Sequence, residues 1–354
     1  MDAVKDRSSM KAVIFRRHGP SNELSMEDVD IPRPGHDDVL IRVNATSVNH
    51  LDITVRDGSA GVKVQLPHIG GCDAVGVVED TGAGVERIRR GQTVTVNPGT
   101  GCGQCAYCRR GEEPLCEHFR IIGEHMPGAY AEYVAVPARN VKTVPSGFPI
   151  VKAAASPLVY LTAWHALVGR ARIGFGDSVL VTGGSGGVST AAMQIAKLYD
   201  ARVVATTRSE EKADALLRIG ADDVIVTKGE GWAKKYLDES RHGGFDIAID
   251  SVGSALWKDT LRSLRKGGRL VNYGRTSGGA VAADLGFIFW KQMQIIGSTM
   301  GNAAEFETVM DLVFNRRLDP VVARVFSLRE AAAAQDYIES AEQVGKAVLL
   351  VGER

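Results

Sequence analysis

The sequence predicts an α/β protein in two parts, a β-rich part followed by a doubly wound parallel sheet, and three observations carry that prediction. Up to about residue 150, short apolar runs (KAVIF, VLIRV, AVGVV, TVTV, YVAV) are separated by Pro and Gly clusters, the pattern of short β-strands. From about residue 178, strand-like and helix-like segments alternate, and alternating β and α units imply a parallel sheet covered on both faces. A glycine-rich turn, VLVTGGSGGVS, stands where the first strand of that series passes into its first helix.

Each element of the second part follows from its residues. The strand VLVTG leads into a helix through Met193 and Lys197, then comes the strand RVVAT. The next helix, SEEKADALLRIG, sets Ala213, Leu216 and Leu217 on one face and stops at Gly220. DVIV, FDIAID and RLVNYG continue the series. No internal repeat or low-complexity segment interrupts it.

Composition narrows the function. The 354 residues suggest about two domains. With 44% hydrophobic and 24% charged residues the chain can bury a sizeable core and is not disordered. Lys plus Arg and Asp plus Glu both number 42, so a broad electrostatic footprint for nucleic acid or anionic lipid is not expected and small molecules are the expected partners. The N-terminus MDAVKDRSSM lacks the apolar core of a secretory signal, which predicts a cytoplasmic protein. The charge-free stretch from Ala153 to Gly169 is broken by Ser156, Pro157, Thr162 and His165 and reads as buried helix and loop, not a membrane span.

The glycine-rich turn places Gly184, Gly186 and Ser189 in a GxGxx(G/A) frame, with Gly183 and Gly187 in addition. Glycine there permits a tight turn and close approach to a pyrophosphate, held by the free N–H groups of the helix start at Gly187 and Val188. Ser189 at the third small position is expected to loosen helix-to-strand packing slightly. The second strand ends at Thr206, Thr207, Arg208 and Ser209, where an NAD-selective turn carries Asp or Glu. With no carboxylate to repel a 2′-phosphate and a guanidinium to grip one, NADP(H) is favoured over NAD(H).

Five cysteines are too few for a disulfide scaffold. Cys102, Cys105, Cys108 and Cys116 follow the spacing CxxCxxCx₇C, which suits a closed tetrahedral zinc with no open position, hence a structural site. The three-residue gap and Cys-Pro of a bacterial ferredoxin are absent. Arg109 and Arg110, balanced by Glu112, Glu113 and Glu117, do not favour a nucleic-acid zinc ribbon.

A β-rich first part with a four-cysteine loop, followed by a dinucleotide-binding part, resembles the medium-chain dehydrogenase/reductase superfamily of zinc alcohol dehydrogenases and quinone oxidoreductases. VNHLD at 48–52, PHIGGCDAVGVVE at 67–79, GAYAEYV at 128–134, PLVYLTAWHAL at 157–167 and GKAVLLV at 345–351 carry the likeness from Met10 onward. The resemblance implies a GroES-like catalytic domain over 1–155 and 301–354, with the structural zinc loop at 101–117. A Rossmann NADP(H)-binding domain over 156–300 is inserted between. It also implies where a catalytic zinc would sit: its first cysteine ligand matches Asn49, its histidine Cys72 with Asp73 for the neighbouring glutamate, and its second cysteine Leu158. An amide and an aliphatic side chain cannot complete a three-ligand site. Asn49 with Asp52 instead resembles the NxxD pattern of the zinc-free quinone oxidoreductases.

The expectation is therefore an NADPH-dependent reductase of ketones, quinones or activated enones that transfers hydride without a catalytic zinc. One alternative is a zinc alcohol dehydrogenase with a nonstandard site around Cys72, using Asp73 with His50 or His68. Another is a non-catalytic NADPH-binding sensor. Asn49, His50, Asp52 and Tyr160 are the candidate catalytic residues, His50 as a proton donor near neutral pH. His125 lines the cleft or satisfies a loop. By family position Thr162 contacts the nicotinamide, Gly274, Arg275, Thr276, Ser298, Thr299 and Met300 border it, and Lys346 meets the pyrophosphate. Leu158, Trp290 and Met300 are expected to shape the substrate pocket. The run IIGST at 295–299 resembles the edge strand that pairs nucleotide domains, which implies a homodimer or homotetramer.

Overall fold

Strand Asp38–Ser47 organises the first half of the molecule. It is buried on both faces: Val39, Ile41 and Val43 lie against Val94, Val96, Val134 and Val136, and Leu40 packs with Met10, Ala12 and Ile14. In the computed structural model, which describes residues 8–227, 229–240 and 243–352, this strand is central to a seven-stranded sheet. The order is Val141–Thr143, Thr93–Val96, Val75–Thr81, Asp38–Ser47, Lys346–Leu350 and Val322–Ser327, with Tyr133–Pro137 also paired to Asp38–Ser47. A smaller sheet places Ser9–Phe15 between Ser25–Asp30 and His68–Ile69. The chain divides into two compact units, Met1–Leu158 with Asn302–Arg354, and Val159–Gly301.

Register fixes which polar residues meet in the first unit. Ala45 pairs with Val75, and Val348 pairs with Ser47, both antiparallel. Counting on by two residues sets Ser47 opposite Asp73 and Asn49 opposite Lys346. The strand's end, the start of the next strand and the last strand of the chain therefore converge at residues 47–49, 73 and 346.

The second unit is a six-stranded parallel sheet in the order Asp223–Val226, Arg202–Thr207, Ser178–Val181, Phe245–Asp250, Leu264–Asn272, Gln294–Gly297. This is the 3-2-1-4-5-6 order of a Rossmann sheet, with its reversal between the first and fourth strands. The central strand Ser178–Val181 is buried throughout, as a strand covered on both faces must be. Helix Gly187–Leu198 follows the glycine turn.

Two local expectations are corrected. Ser189 does not loosen the helix: its hydroxyl donates to Thr182 O at 3.1 Å and ties the helix to the strand it follows. Leu217 is 44% exposed, whereas Leu216 is fully buried. Neighbouring positions on a helix point about 100° apart, so one of the two must leave the buried face. Among the described residues no helix is long and apolar enough to cross a membrane.

Gly71 holds the turn that leads into Cys72. Its φ is +97°, and a Cβ there would lie 2.4 Å from Tyr130 Cδ1 and 2.8 Å from the Tyr130 backbone nitrogen. Left-handed strain and overpacking together predict that Gly71→Ala lowers stability by about 2–4 kcal/mol. Urea unfolding should show an earlier midpoint, and an unchanged midpoint would contradict the packing described.

Candidate functional site

The convergence set by strand register is a buried polar cluster in the first unit. Asp73 is fully buried, and its Oδ2 accepts from Ser47 Oγ at 2.6 Å and Asn49 Nδ2 at 2.8 Å, while Oδ1 accepts from the Leu158 N–H at 2.9 Å. The Lys346 ammonium lies 3.6 Å from Asp73 Oδ2, donates to Val48 O at 2.7 Å and to Asn49 Oδ1. Burial holds the Lys346 pKa below the usual lysine range, against the pull of Asp73 and Asp52.

Asp52 anchors the other side. It is the third residue of helix His50–Asp57, where its Oδ2 accepts from the Asn49 N–H at 2.7 Å and so closes the helix start. Tyr130 OH donates to the same oxygen at 3.3 Å, and Oδ1 accepts both the Cys72 N–H at 3.1 Å and the Cys72 thiol at 3.0 Å. Burial raises the Asp52 pKa despite these donors. Burial, then the Asp52 charge, pushes the Cys72 thiol well above its ordinary value, so Cys72 is a protonated thiol.

A third carboxylate stands beside these two. The turn after strand Arg120–Ile121 folds back so that Gly123 packs on the Gly71 backbone, where a Cβ on Gly123 would meet Gly71 O at 2.6 Å. His68 Nε2 meets Gly123 O at 2.9 Å from the opposite side. This sets Glu124 next to Cys72. Burial, then the Asp52 charge, lifts the Glu124 carboxyl to about 7. Nothing local in the sequence marks Glu124, because only the long-range contact of Gly71 with Gly123 brings it here. The neighbouring His125 is exposed, and its Nδ1 accepts from the Ile121 N–H at 3.2 Å, so it serves its loop.

The other candidates take different places. His50 keeps solvent access at the first turn of its helix, and the protein around it, then the Lys346 charge, hold its imidazole below the ordinary histidine value. Tyr160 is buried and donates to Gln194 Oε1 at 3.0 Å within the second unit. Lys346 is an inward-facing member of the Asp73 cluster, not an exposed cation open to a phosphate. Asn49 and Asp52 frame the cluster through each other.

In the second unit, Gly183 has φ +57°, and Gly184 leaves no room for a side chain, since a Cβ would lie 2.9 Å from Ala205 Cβ and 3.1 Å from Leu216 Cδ1. Gly186 caps helix Gly187–Leu198, where a Cβ would meet Gly183 O at 3.5 Å and Ser189 Oγ at 3.6 Å, and the amides of Gly187 and Val188 open the helix, where N–H groups have no partner within the helix. Thr207 Oγ1 accepts from the Ser209 N–H at 3.2 Å and shapes the turn that presents the exposed Arg208. The Thr162 and Ser298 hydroxyls are buried with no partner, an opening for a polar ligand at two positions expected beside the nicotinamide. Gly274 abuts Ser251, Thr276 Oγ1 donates to Ser251 O at 3.2 Å, Arg275 and Thr299 are exposed, and Met300 is buried with φ +53°. Trp290 is 72% exposed.

The four cysteines form the metal-binding candidate. Their sulfurs all lie within 4.8 Å of one another, close to the ~3.8 Å expected when ~2.3 Å bonds meet at a tetrahedral zinc. N–H groups of Cys105 and Cys116's neighbour His118 point at sulfur, at 3.4 Å on Cys102 and 3.3 Å on Cys116. Backbone N–H groups of Gln104 and Cys105 draw the Cys102 pKa down to about 6, as a thiolate ligand requires.

Replacing Lys346 by Met should cost about 3–5 kcal/mol, because Asp73 would remain buried without its cation. Denaturant unfolding of Lys346→Met checks this, and a variant as stable as the parent would show that the pair contributes nothing.

Comparison with known proteins agrees with this geometry. Residues 35–146 match the alcohol dehydrogenase GroES-like domain, and residues 187–315 match the zinc-binding dehydrogenase family. An acryloyl-coenzyme A reductase of Sulfurisphaera tokodaii is 32% identical across 96% of this chain and 99% of that protein. An NAD-dependent alcohol dehydrogenase of Sulfolobus acidocaldarius is 33% identical across 97% of this chain and 100% of that protein. A crystal structure of an NAD-dependent alcohol dehydrogenase superposes with a TM-score of 0.92 at 38% identity, covering 97% of this chain and 100% of that one. With its paired GroES-like and Rossmann units, the chain belongs to the medium-chain dehydrogenase superfamily and is an NAD(P)H-dependent oxidoreductase.

Proposed function

We propose that the protein is an NADPH-dependent reductase of activated C=C or C=O bonds, with enones, quinones and ketones as its substrate class, acting without a catalytic zinc. The observation that carries this reading is the state of the residues around Cys72. Its thiol donates to Asp52, Asp73 is occupied by three donors and Lys346, and His68 Nε2 is engaged by Gly123 O. Among the described residues, the group of three or more His, Cys, Asp or Glu arranged to hold a metal is the four-cysteine cluster, not this one. The same observation weighs against the nonstandard zinc site around Cys72. The four cysteines suit a structural zinc, since four thiolates leave no coordination position for substrate.

When bound, the dinucleotide supplies the hydride. The chain's own residues would hold it: the glycine turn and the amides of Gly187 and Val188 at the pyrophosphate, Thr162 and Ser298 at the nicotinamide, and Thr207 with Arg208 at the 2′-phosphate. Arg208 and the absence of a carboxylate at that turn support NADPH in this chain, although the alcohol dehydrogenases it resembles are named NAD-dependent. Activated substrates fit a site without a Lewis acid, because the charge arriving with hydride spreads over an enolate or phenolate that hydrogen bonds can stabilise. The similarity to an acryloyl-coenzyme A reductase, whose name specifies a conjugated thioester, supports the enone end of this class.

A homo-oligomer is part of the proposal. Strand Gln294–Gly297 is the edge of the parallel sheet, Ile295 is 44% exposed, and Leu285 and Phe289 on helix Leu285–Lys291 are more than 70% exposed. An unpaired edge beside large exposed apolar groups fits a second copy of the chain.

The purified protein should oxidise NADPH with enones or quinones, act poorly on simple alcohols with NADP⁺, and contain about one zinc per chain by elemental analysis. Two tightly bound zincs per chain would overturn the zinc-free centre, and NADPH binding without turnover on a broad carbonyl panel would favour a sensor. Arg208→Ala should weaken NADPH binding about 10–100-fold and NADH binding little, by titration of cofactor fluorescence. Equal losses for both would remove Arg208 from the 2′-phosphate.

A further inference from the structure

Arg56 is 2% exposed, and its charge reaches Asp52 through a chain of hydrogen bonds inside the first unit. It lies one turn after Asp52 on helix His50–Asp57. Its Nε donates to Gly19 O at 3.1 Å, Nη2 to Glu339 Oε1 at 3.0 Å and Nη1 to Gln335 Oε1 at 2.7 Å. Gln335, buried on helix Ala331–Glu339, also donates from its amide to the Tyr130 hydroxyl oxygen. Tyr130 shares one apolar cluster with Ala331, Ala334 and Ile338 of that helix. Its hydroxyl in turn donates to Asp52 Oδ2 at 3.3 Å, and the Cys72 thiol donates to Asp52 Oδ1 at 3.0 Å.

The direction of each bond in this chain follows from its first member. A guanidinium stays charged and has donors but no acceptor, so Gln335 must turn its carbonyl oxygen to Arg56. That leaves the NH₂ group toward Tyr130, where it too can only donate. With its oxygen facing a donor, the phenol places its single proton on Asp52. We infer that Gln335 is a positioning residue for Asp52: its amide relays the polarity of Arg56 to Tyr130 and so fixes the phenol proton on Asp52 Oδ2. The inference rests on the reductase reading above only in taking Asp52 as part of the candidate site, and its test needs no turnover.

The groups around Asp52 give this donor its weight. Cys72 and Asp73 face it from the segment entering strand Val75–Thr81, Glu124 from the turn after strand Arg120–Ile121, Lys346 from strand Lys346–Leu350 and Tyr130 from beside helix Ala331–Glu339, while His50 opens its own helix. Burial raises the Asp52 proton affinity, and the thiol, the Asn49 N–H and the Lys346 charge lower it. A donor lost from the carboxylate therefore raises its pKa. Gln335→Glu keeps the shape and the bond from Arg56 but turns an acceptor toward Tyr130, which draws the phenol proton off Asp52 and adds a negative charge nearby. Gln335→Met removes the amide and leaves the phenol free to donate to Asp52.

The infrared S–H stretch of Cys72 reports the charge of Asp52, because a thiol bonds more strongly to a carboxylate than to a neutral acid and absorbs at lower frequency. The band is isolated in the full-length protein by subtracting the spectrum of the same chain carrying Cys72→Ala. In the parent it should move to higher frequency as acid protonates Asp52. In Gln335→Glu that transition should come about one pH unit or more higher, whereas in Gln335→Met it should stay within about a third of a unit of the parent. A merely structural role gives the reverse order, since Met loses both hydrogen bonds and Glu keeps the one from Arg56. Gln335→Glu titrating with the parent, or Gln335→Met shifting as far as Gln335→Glu, overturns the proposal. Tyr130→Phe removes the phenol proton without touching helix Ala331–Glu339 and should also raise the transition; a transition left in place overturns the proposal even if Gln335→Glu fails to fold. A protein that shows these shifts but oxidises no NADPH with enones or quinones keeps the role of Gln335 and loses the reductase reading, and turnover with an unmoved band does the opposite.

Discussion

The antiparallel pairing of strand Lys346–Leu350 with strand Asp38–Ser47 is the constraint on which the candidate site depends. It brings a lysine from the end of the chain opposite Asn49, some three hundred positions earlier, and sets its ammonium against Asp73. Removing a lysine and an aspartate from water costs several kcal/mol per ion, which attraction alone offsets only when the remaining donors and acceptors are filled. Here they are filled, by Ser47, Asn49, the Leu158 N–H and the Val48 carbonyl. A one-residue slip in that pairing would turn Lys346 to the other face of the sheet and leave Asp73 buried with no counter-charge. The cluster thus enforces the register that creates it.

Much of the architecture could be read in the sequence because it is carried by local periodicity. VLVTG, RVVAT, DVIV, FDIAID and RLVNYG each announce a parallel strand, and the glycine turn marks where the first passes into its helix. The four cysteines were legible for the same reason: fifteen residues hold all of them, and short loops fix their distances. What could not be read was any role set by register or by turn packing. Lys346 is a basic residue near the chain end, and only the pairing of Val348 with Ser47 shows that it points inward. Glu124 lies in an irregular turn with no period, and its position follows from two glycine backbones in contact across some fifty residues.

The chemistry of the cluster comes from unequal treatment of like groups. Asp52 and Glu124 are both enclosed carboxyls, and the Asp52 charge raises the proton affinity of Glu124. They differ in what reaches them. Asp52 receives two backbone N–H groups, a phenol and a thiol, so its negative form is solvated by the protein, while Glu124 receives none. Two neighbouring acids with one set of donors are thus treated unequally: the donors on Asp52 oppose the rise that burial imposes on its pKa, and Glu124 has no such donors. Cys72 is held to the same pattern. Its proton is directed at Asp52, and the surrounding negative charge opposes thiolate formation. The protonated thiol is a poor nucleophile, since the thiolate is the reactive form of cysteine. Asp52 therefore acts on both neighbours at once: its negative form raises the proton affinity of Glu124, and its Oδ1 accepts the Cys72 proton, which opposes thiolate formation.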